Sequence, residues 1–461
     1  MGENGFENAQ NLPMHCLEVK MAMKVYFLTL GCRVNQYETD AARRLFLDNG
    51  HENVDSPEDA DVCIVNTCSV TGEADRKSSQ MLRRMAKNNP NAVIVAMGCA
   101  SELKTGDVAA DIVIGTRDKN TVVAKVEEFV AARENKKLAH STSHTRPEVS
   151  KTDEYHDFGT VLSPEGSRAF IKIEDGCNNF CTYCVIPYAR GRVVSRDEDA
   201  CIKEAEYLVE NGFKEIIVSG IHLCSYGKDQ GKDIMALLDL LKKIDAIPGL
   251  ERLRLGSLEP KSMTPEFISG LKELKHLCPH FHLSLQSGSD TVLKRMNRKY
   301  TTAEYEDRVN ALRAEFPDMS LTTDIITGFP EETEEEFTET IEFAKKLKFA
   351  KIHVFPYSER EGTKAAAMPQ MDMSIRKARA KRLIEVSEKL EKEFALSLVG
   401  KEAEILIEKI EEREGKLIAE GYTANYVRTF ADATGRELSR GNIVKGVVTG
   451  SENSSCFITI A

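Results

Sequence analysis

The sequence predicts an α/β protein in three parts: an N-terminal open α/β sheet, a central partial (β/α)6 barrel and a small all-β module. Three observations predict it. Residues 24–135 alternate short β-branched runs with helical patterns, as an open parallel sheet does. Residues 168–398 resume the alternation through six strand–helix units. Over residues 399–461 the texture changes to short apolar runs separated by glycines. A chain of 461 residues is also too long for one core, so several domains are expected.

The elements follow in order. Residues 1–23 are polar and Asn-rich, lack the charged start and apolar stretch of a signal peptide, and read as a flexible extension. Strands are predicted over 25–30, 62–66, 93–97 and 112–114, with helices over 35–49 and 73–88 between them. Residues 136–167, rich in Ser, Thr, His and Pro, read as a linker. The barrel strands are predicted over 169–173, 215–219, 252–255, 282–285, 321–326 and 351–355, followed by a long charged helix over 376–398. The last part carries strands over 403–410, 416–419, 425–430 and 457–460.

Composition narrows the function. No apolar stretch approaches the roughly 20 residues that cross a bilayer, so no membrane partner is expected. The net charge of −11 argues against a protein coated in nucleic acid but leaves room for local basic paths. Basic clusters such as 190–196 and 294–299, taken singly, read as solvated helix faces. Twelve cysteines without an export signal point to a cytoplasmic chain whose thiols bind metal or react rather than pair.

Cys177, Cys181 and Cys184 follow an apolar strand with the spacing C-x3-C-x2-C. A closed zinc site wants four ligands, and no fourth Cys or His lies near in sequence. Three thiolates hold three irons of a [4Fe–4S] cube and leave the fourth open to a cofactor. This spacing resembles the radical S-adenosylmethionine superfamily. By that resemblance the open iron chelates S-adenosyl-L-methionine, whose reductive cleavage yields a 5′-deoxyadenosyl radical able to take hydrogen from an unactivated C–H bond. Polar groups at the carboxyl ends of barrel strands usually face the site. Ser257, Glu259, Gln286, Ser287 and Asp324 are expected to contact the cofactor, and Gly328 to let backbone approach its adenine.

Three further cysteines close predicted strands of the first part: Cys32 after Thr29-Leu30-Gly31, Cys68 after Val65-Asn66-Thr67, and Cys99 after Ala96-Met97-Gly98. Ligands gather at the carboxyl ends of parallel strands, so three thiols from distant sequence are expected to meet in a second [4Fe–4S] site. Cys63 lies inside its strand and reads as a core residue. No role is assigned to Cys224, and Cys16, Cys201, Cys278 and Cys456 are taken as unliganded. The ten histidines look scattered and structural.

From Thr29-Leu30-Gly31-Cys32 to the last strand the sequence resembles the methylthiotransferases: three N-terminal cysteines, a radical barrel and a C-terminal TRAM domain. The resemblance implies that Cys32, Cys68 and Cys99 hold an auxiliary cluster that supplies sulfur. One S-adenosylmethionine methylates that sulfur and a second generates the radical. The phrases Leu30–Thr39 and Gly421–Val427 resemble the branch that acts on N6-threonylcarbamoyladenosine beside the tRNA anticodon. The resemblance further implies tRNA contacts, placed at Arg192, Arg298, Tyr422 and Tyr426, and a reductant such as flavodoxin or ferredoxin. Residues 401–461 hold eight Lys/Arg and ten Asp/Glu, an acidic balance for an RNA-binding module.

Other readings compete. Cobalamin-dependent radical methylases need an Asp-x-His-x-x-Gly segment in the first part, and none occurs there. The same chemistry on isopentenyladenosine tRNA, or on a ribosomal protein aspartate, changes only the substrate. A non-catalytic iron–sulfur RNA-binding protein leaves the open iron and the polar strand ends without use.

Overall fold

The computed structural model describes residues 22–103, 108–134, 154–161 and 166–460. The first part is a five-stranded parallel sheet of β1 (Lys24–Thr29), β2 (Glu52–Val54), β3 (Val62–Thr67), β4 (Val93–Gly98) and β5 (Ile112–Ile114), in the order β2-β1-β3-β4-β5. Every residue of β3 and β4 is buried, as strands covered on both faces require, which is why they read as unbroken apolar runs. The helix Gly72–Asn88 begins where the Thr71 side chain accepts the Ala74 N–H at 3.1 Å. The short β2 was not predicted.

The central part has β6 (Ala169–Asp175), β7 (Val194–Ser195), β8 (Glu215–Gly220), β9 (Arg252–Leu255), β10 (Ser257–Leu258), β11 (His280–Leu283), β12 (Ser320–Thr327) and β13 (Lys351–Pro356). The sequence predicts six strands, whereas the third is split at Gly256. The wall is therefore two four-stranded sheets, β7-β6-β8-β9 and β10-β11-β12-β13, and β7 runs antiparallel to β6. Leu283 and Ile325 point into a core shared with the outer helices. Ile352 also faces outward, its N–H meeting Ser387 of the long helix Met373–Leu396. The alternate residues of the same strands, His282, Asp324 and His353, therefore line the lumen.

The last part is a closed five-stranded barrel, β14 (Glu402–Arg413), β15 (Lys416–Thr423), β16 (Arg428–Asp432), β17 (Ile443–Glu452) and β18 (Ser455–Ile460). β17 escaped prediction because Lys445, Gly446 and Gly450 break its apolar run. This barrel covers the lumen at the starting ends of the strands. Arg252 donates to the carbonyls of Tyr422 (3.0 Å) and Glu404 (2.7 Å), and Arg254 to that of Ala424 (2.9 Å).

The predicted linker is only partly a tether. Tyr155 donates to the Lys172 carbonyl at 3.0 Å, Asp157 accepts from Arg196, and Val161 is buried. The extension predicted over 1–23 lies outside the described residues except Ala22 and Met23, and Met23 is buried under the sheet.

Candidate cluster and cofactor site

Because the first sheet is parallel, Cys32, Cys68 and Cys99 leave the same edge, after β1, β3 and β4. Gly31 and Gly98 precede two of them with φ of 102° and 107°, a region that favours glycine. A Cβ on Gly31 would fall 2.6 Å from the Cys68 sulfur, and one on Gly98 2.5 Å from Asn66 Oδ1. The two glycines therefore keep open a cradle in which the thiols gather. Burial pushes the Cys68 thiol up to about 11, with Cys99 and Cys32 adding to the shift. Such a thiol ionises when a metal takes the place of its proton.

The second triad hangs on the loop after β6. The Cys177 N–H donates to the Gly191 carbonyl at 3.2 Å, and the Cys184 N–H to the Cys181 carbonyl at 3.0 Å. Arg298 donates to the Cys181 sulfur at 3.3 Å and grips both oxygens of Glu259 at 2.9 and 3.0 Å. Burial, then Cys181, pushes Cys184 up to about 12, and Cys99 of the other triad adds to the shift. The two triads thus lie close enough for their charges to interact.

Arg190 stands between them with its side chain fully buried. It donates to the Cys99 sulfur at 3.3 Å, to Asn35 at 2.9 Å, to Glu38 at 2.8 Å and to Asp175 at 3.0 Å. Lys172 and Lys119 also bind Glu38. Three buried cations therefore face two carboxylates. Glu174, the next carboxyl along, is held toward its neutral form by burial. The Arg190 guanidinium thus stands directly beside the Cys99 sulfur, a setting that suits an anionic metal–thiolate group.

The cysteine triads are spaced more widely than the tightest donor trio. Among the described residues the trio whose ligand atoms lie within 4.8 Å of one another is His282, Asp324 and His353. Neither cysteine triad is that tight, so neither is drawn in around one ion. A cube, which offers each thiolate a different iron, accepts wider spacing.

Comparison with known proteins bears on this arrangement. Residues 171–344 match the model of the Radical SAM superfamily, and residues 24–115 match that of Uncharacterized protein family UPF0004. The chain is 41% identical over 91% of its length to threonylcarbamoyladenosine tRNA methylthiotransferase MtaB of Bacillus subtilis (strain 168), covering 92% of that protein. It is 34% identical to the tRNA-2-methylthio-N(6)-dimethylallyladenosine synthase of Acetivibrio thermocellus, over 90% of this chain and 88% of that one. The chain belongs to the radical S-adenosylmethionine tRNA methylthiotransferases. Membership makes it an enzyme, a transferase, in a family that works with S-adenosyl-L-methionine and two [4Fe–4S] clusters. In fold it is similar to the radical S-adenosylmethionine methyltransferase TsrM of Kitasatospora setae with cobalamin and a [4Fe-4S] cluster bound. That match has a TM-score of 0.55 and 16% identity over 75% of this chain and 77% of that one. At that identity the likeness is one of fold alone and says nothing of cobalamin.

Within this methylthiotransferase the structure distributes the predicted site residues unevenly. Glu259 and Gln286 sit at the carboxyl ends of the strands, Glu259 near the second triad through Arg298 and Gln286 buried beside Ile325 of β12. Ser257 is exposed, and Asp324 lies lower on the wall, 3.4 Å from His282. Ser287 is fully buried and bonds Thr340, so it does not face the lumen. Gly328 has φ of 67°, but the space where a Cβ would go is taken by Arg376 Cγ at 2.6 Å. What approaches this glycine is the long helix, not an adenine.

The predicted RNA contacts need similar correction. Arg298 is buried against Cys181 and Glu259, because a guanidinium between a thiol and a carboxylate is held inward. Tyr426 is sandwiched between His280 (4.9 Å between ring centroids) and Tyr422 (5.0 Å), with Arg254 and Arg168 over its faces. Its rings pack the small barrel onto the large one rather than facing a base. Arg192 stacks on Phe180 beside the cysteine loop, 4.6 Å from its centroid. Cys224 is buried, and its sulfur accepts the Glu259 N–H at 3.3 Å, which is a structural role. The lumen histidines were missed. His280, His282 and His353 look isolated in sequence, and only the strand register brings them together.

No helix among the described residues is long and apolar enough to cross a membrane.

Proposed function

We propose that this enzyme converts N6-threonylcarbamoyladenosine beside the tRNA anticodon into its 2-methylthio form, in the cytoplasm, with electrons from a donor such as flavodoxin or ferredoxin. The observation that carries the reading is that two separate thiol triads come near one another, with Arg190 bonded to Cys99 of one and to Asp175, two residues before Cys177 of the other. In this reading Cys177, Cys181 and Cys184 hold the cluster that binds S-adenosylmethionine, and Cys32, Cys68 and Cys99 hold the auxiliary cluster. When bound, the two clusters supply electron transfer and transferable sulfur. The chain's own groups do the positioning. Arg298 and Arg190 each donate to one ligand sulfur, Glu259 fixes Arg298, Asp324 presents a polar group on the lumen wall, and Gln286 is kept as a cofactor contact at its strand end. The parts responsible are taken as residues 24–135, 168–398 and 399–461. Arg192, beside the cysteine loop, is retained as a tRNA contact.

Nucleoside mass spectrometry of tRNA, run beside 5′-deoxyadenosine production, tests the division of labour. Cys32→Ala, Cys68→Ala or Cys99→Ala should abolish methylthio transfer while cleavage of S-adenosylmethionine continues. Cys181→Ala should abolish both. Cys63→Ala, in the core of its strand, should cost only on the order of 1 kcal/mol of packing and leave both reactions running. Transfer lost in Cys63→Ala but kept in Cys68→Ala would overturn the assignment.

A further inference from the structure

The floor of the lumen carries a cation that the fold does not neutralise. Arg33 is the residue after Cys32 and the first of its helix, and it is exposed. Its guanidinium lies 5.6 Å from the ring centroids of Phe170 on β6 and Tyr426 of the small barrel, and it donates to the Tyr426 hydroxyl at 2.7 Å. Phe170 carries no charge, and the Tyr426 phenol, pushed up by burial but drawn below its ordinary value by Arg33, Arg168 and Arg254, is no carboxylate. Two carboxylates around the floor are already paired with cations, Glu215 with Arg252 and Arg254 and Glu408 with Arg168, and Asp324 lies 3.4 Å from His282. Among the described residues Arg33 has no carboxylate partner.

The surroundings favour an anion over a metal ion. His353 is held below its ordinary value by burial, with Asp324 opposing and His282, Lys351 and Arg33 reinforcing the shift. His280 is held lower still by burial, then Arg254, His282 and Arg33. Both imidazoles are therefore neutral hydrogen-bonding groups near neutral pH. A divalent cation between His282, Asp324 and His353 would face Arg33 and Lys351.

The two kinds of adenosine named for the relatives differ here. A threonylcarbamoyl substituent ends in a carboxylate and a hydroxyl, whereas a dimethylallyl group is an uncharged hydrocarbon. We propose that Arg33 binds the carboxylate of the N6-threonylcarbamoyl group, one residue from the thiol of Cys32, and so selects this substrate over its dimethylallyl counterpart. The inference rests on the substrate reading above and deepens it. Guanidinium and carboxylate match in charge and in fork geometry, and a hydrocarbon seated there would cover the cation without pairing it. Discrimination then has an attractive and a repulsive component.

Binding of the anaerobically reconstituted protein to three anticodon stem–loops tests it. The loops are identical except that one adenosine is unmodified, N6-threonylcarbamoylated or N6-dimethylallylated. The native protein should prefer the threonylcarbamoyl loop. Arg33→Gln should weaken that loop about 10- to 100-fold and leave the unmodified loop unchanged, the range of one charge-assisted interaction. Arg33→Lys should retain part of the preference. The methyl ester of the threonylcarbamoyl loop should bind the native protein as weakly as the free acid binds Arg33→Gln, a comparison that needs no variant to fold. Equal weakening of all three loops by Arg33→Gln would mean that Arg33 meets a backbone phosphate and would overturn the proposal. So would full affinity for the ester. A native protein that does not distinguish the threonylcarbamoyl loop from the unmodified one would overturn the substrate reading itself.

Discussion

Arg190 spends every donor it has on groups from other segments: Asn35, Glu38, Cys99 and Asp175. Removing its charge leaves two buried carboxylates facing two lysines, and a thiol without its donor. Arg190→Gln should therefore lower stability by about 2–3 kcal/mol through the lost charge-assisted bonds, read from the urea midpoint under anaerobic conditions. Arg190→Lys, which keeps the charge but not the fork, should fall between. None of this was visible in the sequence. There Arg190, Arg192 and Arg196 form a basic cluster of the kind that usually coats a helix, yet Arg190 and Arg196 are both buried. Arg190's partners Asn35, Glu38 and Cys99 come from the first part of the chain, and no local pattern announces a cation whose neighbours come from a different domain. The placement of the six cysteines was legible for the opposite reason. Each stands at a strand end or in a short spacing that the local pattern itself displays.

At the scale of elements, helix starts govern the outer layer of the barrel. Glu336 closes the capping box of the helix Glu334–Leu347 with Thr333, and also binds Arg295 and Thr291. Burial raises its pKa, but the bonds from Arg295 and Thr291 outweigh it and bring the carboxyl down to about 2. A carboxyl held below its unfolded value stabilises the fold above the ordinary glutamate range, and that contribution disappears as pH falls through about 2. Glu336→Gln should cost about 1 kcal/mol at neutral pH. The gap between its urea midpoint and that of the native chain should close as pH drops from 5 toward 2. Such starts can be read directly, since Thr333-Glu334-Glu335-Glu336 precedes an apolar pattern. Most strands could also be read, because each carries a short β-branched or apolar run, unbroken in Val93–Gly98 and interrupted by Lys172 in Ala169–Asp175. β10 could not, being two residues long and cut off by Gly256, nor could β7, which pairs antiparallel beside a parallel sheet.

Across the whole molecule, the three parts meet at the lumen. The first sheet brings Cys32 and Arg33, the central strands supply the wall, and the small barrel inserts Tyr426 from below. Arg254 pins that last contact, with its side chain fully buried between Glu215 and the Ala424 carbonyl. Arg254→Ala should destabilise by about 3–5 kcal/mol and loosen the small barrel, seen as faster proteolysis near residues 396–402 while the central part stays intact. The existence of three parts was readable from changes in texture. How they dock was not, because the docking groups are arginines, tyrosines and histidines that sequence alone assigns to solvent or to RNA. The two sets of thiols also differ in when they come into being. Cys177, Cys181 and Cys184 fall within eight consecutive residues, so a chain that is still unfolded already presents them as a ready chelate. Cys32, Cys68 and Cys99 meet only once β1, β3 and β4 have paired, and the entropy of closing those long loops is met by folding. On the proposed assignment, a nascent or damaged chain can thus acquire iron at the first set but not at the second. The iron content of a preparation becomes a gauge of how much of it has reached the native sheet.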